Sequence, residues 1–391
     1  MDEEIYKINH LSVNESKTEF CLSYNEGLMT FDLKNFKEIN RSNNFETRLG
    51  NISLSQYAPK DNTIIFVGSQ YNKLYSKKQI TFFDMVNKKE LLSKSFDDEI
   101  INFKYIDNFL FICFDITLKI FSYDKYEDNY ELNLKDEIDF TDVKKKEFEI
   151  WAIKNLDNSI DKIYIAYQKL NDIFISFYIV DDWTLGDTIK VKSPVSKIQN
   201  LFYINKLNQI FITDDKAIYI YGIDVKEGKV KICLKRSSNY GVITSIALLN
   251  DTYLAVNNLN KTVHIFDLNI KHNSFSFSNI IYSMTSGLEE IYSCLKIRYK
   301  DLLGEKEGED FKKDFEEKGA ILVAGDDREE LNIIAYNGYA FKVKINFKDG
   351  KYKVLTKEKY SDAKNELQKG DKFKNISLYN CSTVFKEKDS E

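Results

Sequence analysis

Thr262-Val263-His264-Ile265-Phe266-Asp267-Leu268 alternates apolar with other residues, then carries an aromatic and an aspartate. Alternation at a period of two marks a β-strand, whose successive side chains point to opposite faces. The same pattern recurs along the chain. Gly27-Leu28-Met29-Thr30-Phe31-Asp32-Leu33 and Gln79-Ile80-Thr81-Phe82-Phe83-Asp84-Met85 carry it first. Thr117-Leu118-Lys119-Ile120-Phe121 follows, then a looser copy, Ile173-Phe174-Ile175-Ser176-Phe177-Tyr178. Ala217-Ile218-Tyr219-Ile220-Tyr221 and Gly338-Tyr339-Ala340-Phe341-Lys342-Val343 bring the number of copies to seven.

Most copies stand roughly 40 to 55 residues apart, the spacing of four-stranded propeller blades. A second apolar run precedes each. Ile64-Ile65-Phe66-Val67-Gly68, Phe109-Leu110-Phe111-Ile112-Cys113 and Tyr253-Leu254-Ala255-Val256 are examples. Runs that are apolar on both faces belong between two covering layers. Ring closure of several small sheets supplies those layers and leaves only short edges. The expected fold is therefore all-β, a seven-bladed, WD-repeat-like β-propeller spanning residues 1–391 as one domain. A β-sandwich or a pair of small β domains is the alternative, but neither needs one signature repeated at blade spacing. The widest interval between copies predicts a loop insertion at about 269–318, with an acidic and basic second half. A polar tail from about residue 361 could begin with a short helix capped by Ser361 and Gly370.

Composition agrees. Among 391 residues are 28 Phe and 25 Tyr but only 2 Pro and 15 Gly, a bias toward strands and away from flexible linkers. A net charge of -5 and a sequence pI of about 5.6 argue against nucleic acid, whose ligands carry basic stripes. Cys21, Cys113, Cys233, Cys294 and Cys381 are odd in number and lack C-x-x-C spacing, so neither a disulfide framework nor a zinc site is expected. The start, Met1-Asp2-Glu3-Glu4, has the wrong charge for a signal peptide. No apolar run approaches the roughly 18 residues of a membrane span. A cytoplasmic, soluble protein is the expectation.

Two stretches resemble the PROPPIN family of propellers. One runs from Phe66-Val67-Gly68 through Lys78-Gln79-Ile80-Thr81-Phe82-Phe83-Asp84 to Leu118-Lys119-Ile120-Phe121. The other joins Leu234-Lys235-Arg236-Ser237 and Val242-Ile243-Thr244-Ser245-Ile246 to Thr262-Val263-His264-Ile265-Phe266. It is similar to the family's Phe/Leu-Arg-Arg-Gly motif and its following strand. Leu331 to Tyr360 resembles the closing blade.

The resemblance implies binding of phosphatidylinositol 3-phosphate or 3,5-bisphosphate in two rim pockets flanking the cation pair. It implies a role in autophagy or endolysosomal membrane traffic, peripheral recruitment to those membranes, and an autophagy-type protein partner on the rim. Adjacent side chains on a strand face opposite ways, so two neighbouring cations can serve two pockets. Lys235 and Ser237 stand where the family has Arg and Gly, and Tyr219 where it has another Arg. Lys is a point charge without the guanidinium fork. The resemblance thus implies a degraded pocket around Lys235. It implies a better preserved one around Arg236, Thr262 and His264, with Asn257 and Asn258 at the positions of two family serines. The family's membrane-inserting loop matches about 269–289, with Phe275, Phe277, Ile280, Ile281 and Tyr282 as its apolar residues. On their own, a Lys-Arg pair reads as a solvated edge and His264 as a structural histidine.

No catalytic constellation is expected. His10, His264 and His272 lack metal-ligand spacing, and neither a P-loop nor a G-x-S-x-G elbow is present. Asp181-Asp182, Asp214-Asp215 and Asp326-Asp327 read as turns. No cofactor or metal is implied. The alternative to a lipid effector is a scaffold for protein-protein contacts that has lost its lipid.

Overall fold

The computed structural model describes residues 8–359 except 15, 25–26, 43–48, 59–62, 127–128, 156–158, 196–197, 215, 217, 237–240, 260, 270–289, 304–318 and 337. It is an all-β propeller. The first sheet holds β1 (Ile8–Val13), β2 (Glu19–Tyr24), β3 (Gly27–Asp32) and β4 (Glu38–Arg41) in sequence order. The second holds β5 (Ile52–Ala58), β6 (Thr63–Gly68), β7 (Gln79–Asp84) and β8 (Lys89–Ser95). The third holds β9 (Asn102–Ile106), β10 (Phe109–Cys113), β11 (Thr117–Tyr126) and β12 (Asn129–Asp139). The fourth holds β13 (Val143–Lys154), β14 (Ile160–Lys169) and β15 (Asp172–Ile179), edged by β16 (Thr184–Leu185) and β17 (Ile189–Lys192).

The next sheet has eight strands. It contains β18 (Ile198–Ile204), β19 (Gln209–Asp214), β20 (Tyr219–Asp224), β21 (Lys229–Lys235), β22 (Ile243–Leu249), β23 (Tyr253–Asn258), β24 (Thr262–Asp267) and β25 (Glu290–Arg298). Its spatial order is β18-β19-β20-β21-β25-β24-β23-β22. Every pairing in it is antiparallel except β21 with β25, which is parallel. A five-residue helix, α1 (Tyr299–Leu303), follows β25. The last sheet holds β26 (Ala320–Ala324), β27 (Glu330–Ala335), β28 (Tyr339–Asn346) and β29 (Lys351–Lys359).

Each of the seven signature copies forms the third strand of a four-strand run: β3, β7, β11, β15, β20, β24 and β28. The second apolar runs form the second strands. β6 is buried along its whole length, while the outer strand β8 is exposed or half-buried throughout. Middle strands are covered on both faces and must be apolar on both; outer strands meet water.

Where an aspartate ends the third strand, it organises the next turn. Asp84 Oδ1 accepts from the amides of Val86 (2.8 Å) and Asn87 (2.9 Å). Asp224 Oδ1 does the same for Lys226 and Glu227, both at 2.8 Å. Asp32 and Asp267 each cap a turn amide at 2.9 Å. This is the short-range hydrogen bonding that favours Asp in turns. Gly68 is required by close approach, because a Cβ there would lie 1.7 Å from the Tyr75 carbonyl oxygen.

Apolar clusters join neighbouring sheets all the way round. Ile65 and Phe82 pack with Leu110 and Phe121, and Ile220 and Leu234 with Val256 and Phe266. Val263 and Ile265 pack with Leu322 and Phe341. The first and last sheets meet through Leu11, Phe20, Val323 and Ile334. Tyr336 OH accepts there from the Leu11 amide at 3.2 Å.

Within the span expected to be a loop insertion, Glu290–Arg298 is a strand. Tyr299, Leu302 and Leu303 after it are buried in the cluster against the last sheet. These residues read as insertion because they fall in the widest interval between two signatures; pairing with β24 and β21 recruits them. The residues beyond 303 in that span, and the tail with its expected cap, lie outside the described residues.

Candidate functional site

Lys235 ends β21 and Arg236 follows it. Leu234 packs in the cluster facing β22–β24, whereas Cys233 packs in the cluster facing the fourth sheet. Strand alternation therefore turns Arg236 toward β22–β24 and Lys235 the other way. The two cations point to opposite faces of the eight-stranded sheet.

The Arg236 seam gathers most of the expected residues. Asn258 pairs directly with Thr262, and Val256 with His264. Cross-strand partners share a face, so Asn258, Thr262 and His264 line one side together with Phe266 and Val256. Arg236 is 5% exposed and His264 4%. Burial, followed by the positive charges of Arg236 and Lys296, pushes the His264 imidazole down to about 3. It is neutral near pH 7, with Nδ1 3.4 Å from Ser293 Oγ. Burial also lowers Arg236, partly offset by the Asp214 carboxylate. The Arg236 amide is held by the Ile218 carbonyl at 2.9 Å. A guanidinium, a neutral imidazole, a hydroxyl and an amide in one seam are suited to a phosphate ester's oxygens. They offer no activated nucleophile.

Asn257 does not join them. It faces the last sheet, and all its polar atoms are engaged. Its Nδ2 donates to Thr244 Oγ1 (2.6 Å) and the Ala320 carbonyl (3.2 Å), and its Oδ1 accepts from Tyr299 OH (2.9 Å). Asn257 and Asn258 are consecutive on a strand, so only one can face a given seam. The period of two already carried that signal.

The Lys235 seam is filled from within. Lys235 Nζ lies 3.0 Å from Glu290 Oε2, and Tyr292 OH donates to the same oxygen at 2.8 Å. The ammonium sits 5.3 Å from the Tyr219 ring centroid and 5.6 Å from that of Tyr292. Burial alone would lower the lysine, but bonds to Glu290 and Tyr219 overcome it and raise it above its ordinary value. The parallel register Cys233↔Glu290, Leu234↔Ile291 and Lys235↔Tyr292 brings this carboxylate in. Sequence reasoning missed Glu290, which is 55 residues from Lys235. Ser237, Phe275, Phe277, Ile280, Ile281 and Tyr282 lie outside the described residues.

Among the described residues no group of three or more His, Cys, Asp or Glu could hold a metal ion. No helix among them is long and apolar enough to cross a membrane.

No family model matches the chain, and no curated protein matches it. Solved structures do. Kluyveromyces lactis Hsv2 superimposes with a TM-score of 0.65 at 15% identity, over 91% of this chain and 99% of that one. KlAtg21, in its complex with the coiled coil of AgAtg16, superimposes at 0.60 and 14% identity, over 90% and 99%. Saccharomyces cerevisiae Sqt1 superimposes at 0.55 and 10% identity, over 90% and 86%. The Hsv2 and Atg21 structures are PROPPIN propellers, so the resemblance read from the sequence holds at the level of the fold.

Proposed function

We propose that this chain is a phosphoinositide-binding propeller effector that reads phosphatidylinositol 3-phosphate or 3,5-bisphosphate through the Arg236 seam. Its role is binding rather than catalysis. The observation that carries this is the burial of Arg236 and His264 in one seam, the cation following Leu234 by two residues on the side that packs against β22–β24. Asn258 and Thr262 share the face of His264. Residues 1–391 form one domain in this reading. Its eight-stranded sheet is two blades joined by the parallel β21–β25 pairing, which makes the ring seven-bladed, one blade per signature.

The expected setting is cytoplasmic, with peripheral recruitment to autophagic or endolysosomal membranes. Phe275, Phe277, Ile280, Ile281 and Tyr282 are the candidates for shallow insertion, which would add avidity to a headgroup contact. A protein partner on the rim fits the complex of a structural neighbour with a coiled coil.

Flotation with vesicles containing phosphatidylinositol 3-phosphate tests the reading. Wild type should float, and Arg236→Ala should weaken binding about tenfold or more, the worth of a charge-assisted contact. Equal flotation by both would remove the site. The second reading, a scaffold without lipid affinity, draws on the engagement of Lys235 by Glu290 and of Asn257 by Tyr299. No flotation of wild type would favour it.

A further inference from the structure

The carboxylate on Lys235 is placed where an incoming anion would have to sit. Glu290 is 4% exposed. Its Oε2 takes both the Lys235 ammonium and the Tyr292 hydroxyl. Two aromatic faces, Tyr219 and Tyr292, flank the ammonium. A buried carboxylate with two donors on one oxygen, beside a walled cation, is a complete anion site with its anion built into the chain. On the opposite side, just past the end of β21, Arg236 is buried in the seam that also holds His264, which is neutral and brings no negative charge of its own. Asp214 is the carboxylate that acts on Arg236, and it also holds the Ile218 amide at 3.1 Å.

We infer that Glu290 is the residue that sets headgroup stoichiometry: it substitutes for a phosphoryl group on Lys235, so each chain takes one phosphomonoester headgroup, at Arg236, instead of two. This rests on the lipid reading of Arg236 above. A dianionic phosphate entering the Lys235 side would have to expel Glu290 from a buried contact or lie against it as a like charge. Either is unfavourable. Neutralising position 290 without changing its shape removes both obstacles.

The test is calorimetric titration with dibutanoyl phosphatidylinositol 3-phosphate. Wild type should bind one equivalent, Glu290→Gln two, Arg236→Ala none and the double variant R236A/E290Q one. Two equivalents on wild type, or one on a folded E290Q, would overturn the proposal. Wild type binding nothing while E290Q binds one would keep the role of Glu290 and remove only the lipid reading of Arg236. If E290Q does not fold, wild type still decides. Lys235 should react slowly with an amine-acetylating reagent, and saturating headgroup should not change its rate; protection by the headgroup would place phosphate on Lys235 and sink the idea.

Discussion

Two seams open from one strand, and they are built on opposite principles. On the Lys235 side a carboxylate, two tyrosines and a parallel strand pairing neutralise the cation internally. On the Arg236 side a guanidinium and a neutral imidazole share a largely desolvated space with a hydroxyl and an amide. One residue of displacement along the chain separates a charge engaged by a carboxylate of β25 from a charge buried in the same seam as a neutral imidazole. Adjacent cations in a sequence therefore need not share a role, since alternation hands each to a different neighbour.

The largest expected effect tests the Lys235 side. Glu290→Ala should lower the unfolding free energy in urea by about 3 kcal/mol, the low end for breaking a desolvated ion pair, because Lys235 keeps some contact with water. A loss of a few tenths would place the pair with ordinary surface bridges and erase the contrast.

The next prediction probes the other side through pH. His264 has its folded value pushed to about 3, against an ordinary value of 6.5. Between those limits the unfolded chain takes up a proton that the folded chain refuses. The stabilisation is complete above about pH 6.5 and is lost as pH falls toward 3, at up to about 1.4 kcal/mol per pH unit. His264→Gln should flatten that part of the stability curve. An unaltered slope would mean the imidazole is not held neutral, and the seam would lose its distinguishing property.

Smaller changes sharpen the Lys235 side. Tyr292→Phe removes one donor from Glu290 and should cost about 1 kcal/mol, the net worth of a hydrogen bond. Its measurement is the same urea transition, and a neutral result would leave Lys235 as the one effective donor to that oxygen. Tyr219→Leu keeps apolar bulk but removes a cation–π face, for about 0.5 kcal/mol. A double-mutant cycle of Tyr219→Leu with Lys235→Met measures it directly; zero coupling would show the ring to be packing alone.

Much of the fold was legible because its causes are local. The repeated apolar-aromatic pattern marked every third strand, and where an aspartate ends such a strand the structure adds its reason: it caps the next turn, as at Asp84 and Asp224. The opposite orientation of Lys235 and Arg236 also followed from neighbours on one strand. Grouping Asn257 with Asn258 went wrong because alignment by likeness set aside that same alternation. Asn257 belongs to the contact with Tyr299 and Ala320. Glu290 was hidden for a different cause. It lies at the start of a strand read as insertion, and its partner is fixed by a register between strands.

From the chain alone came the second and third strands of each run, the ring they imply and the two directions of the cation pair. All of these depend on periodicity and on bonds spanning a few residues. The assembled molecule settled which groups those cations meet. Glu290 reaches Lys235 across 55 residues through the parallel β21–β25 register. That register is a backbone pairing between strands far apart in the chain, and no local preference in either segment encodes it.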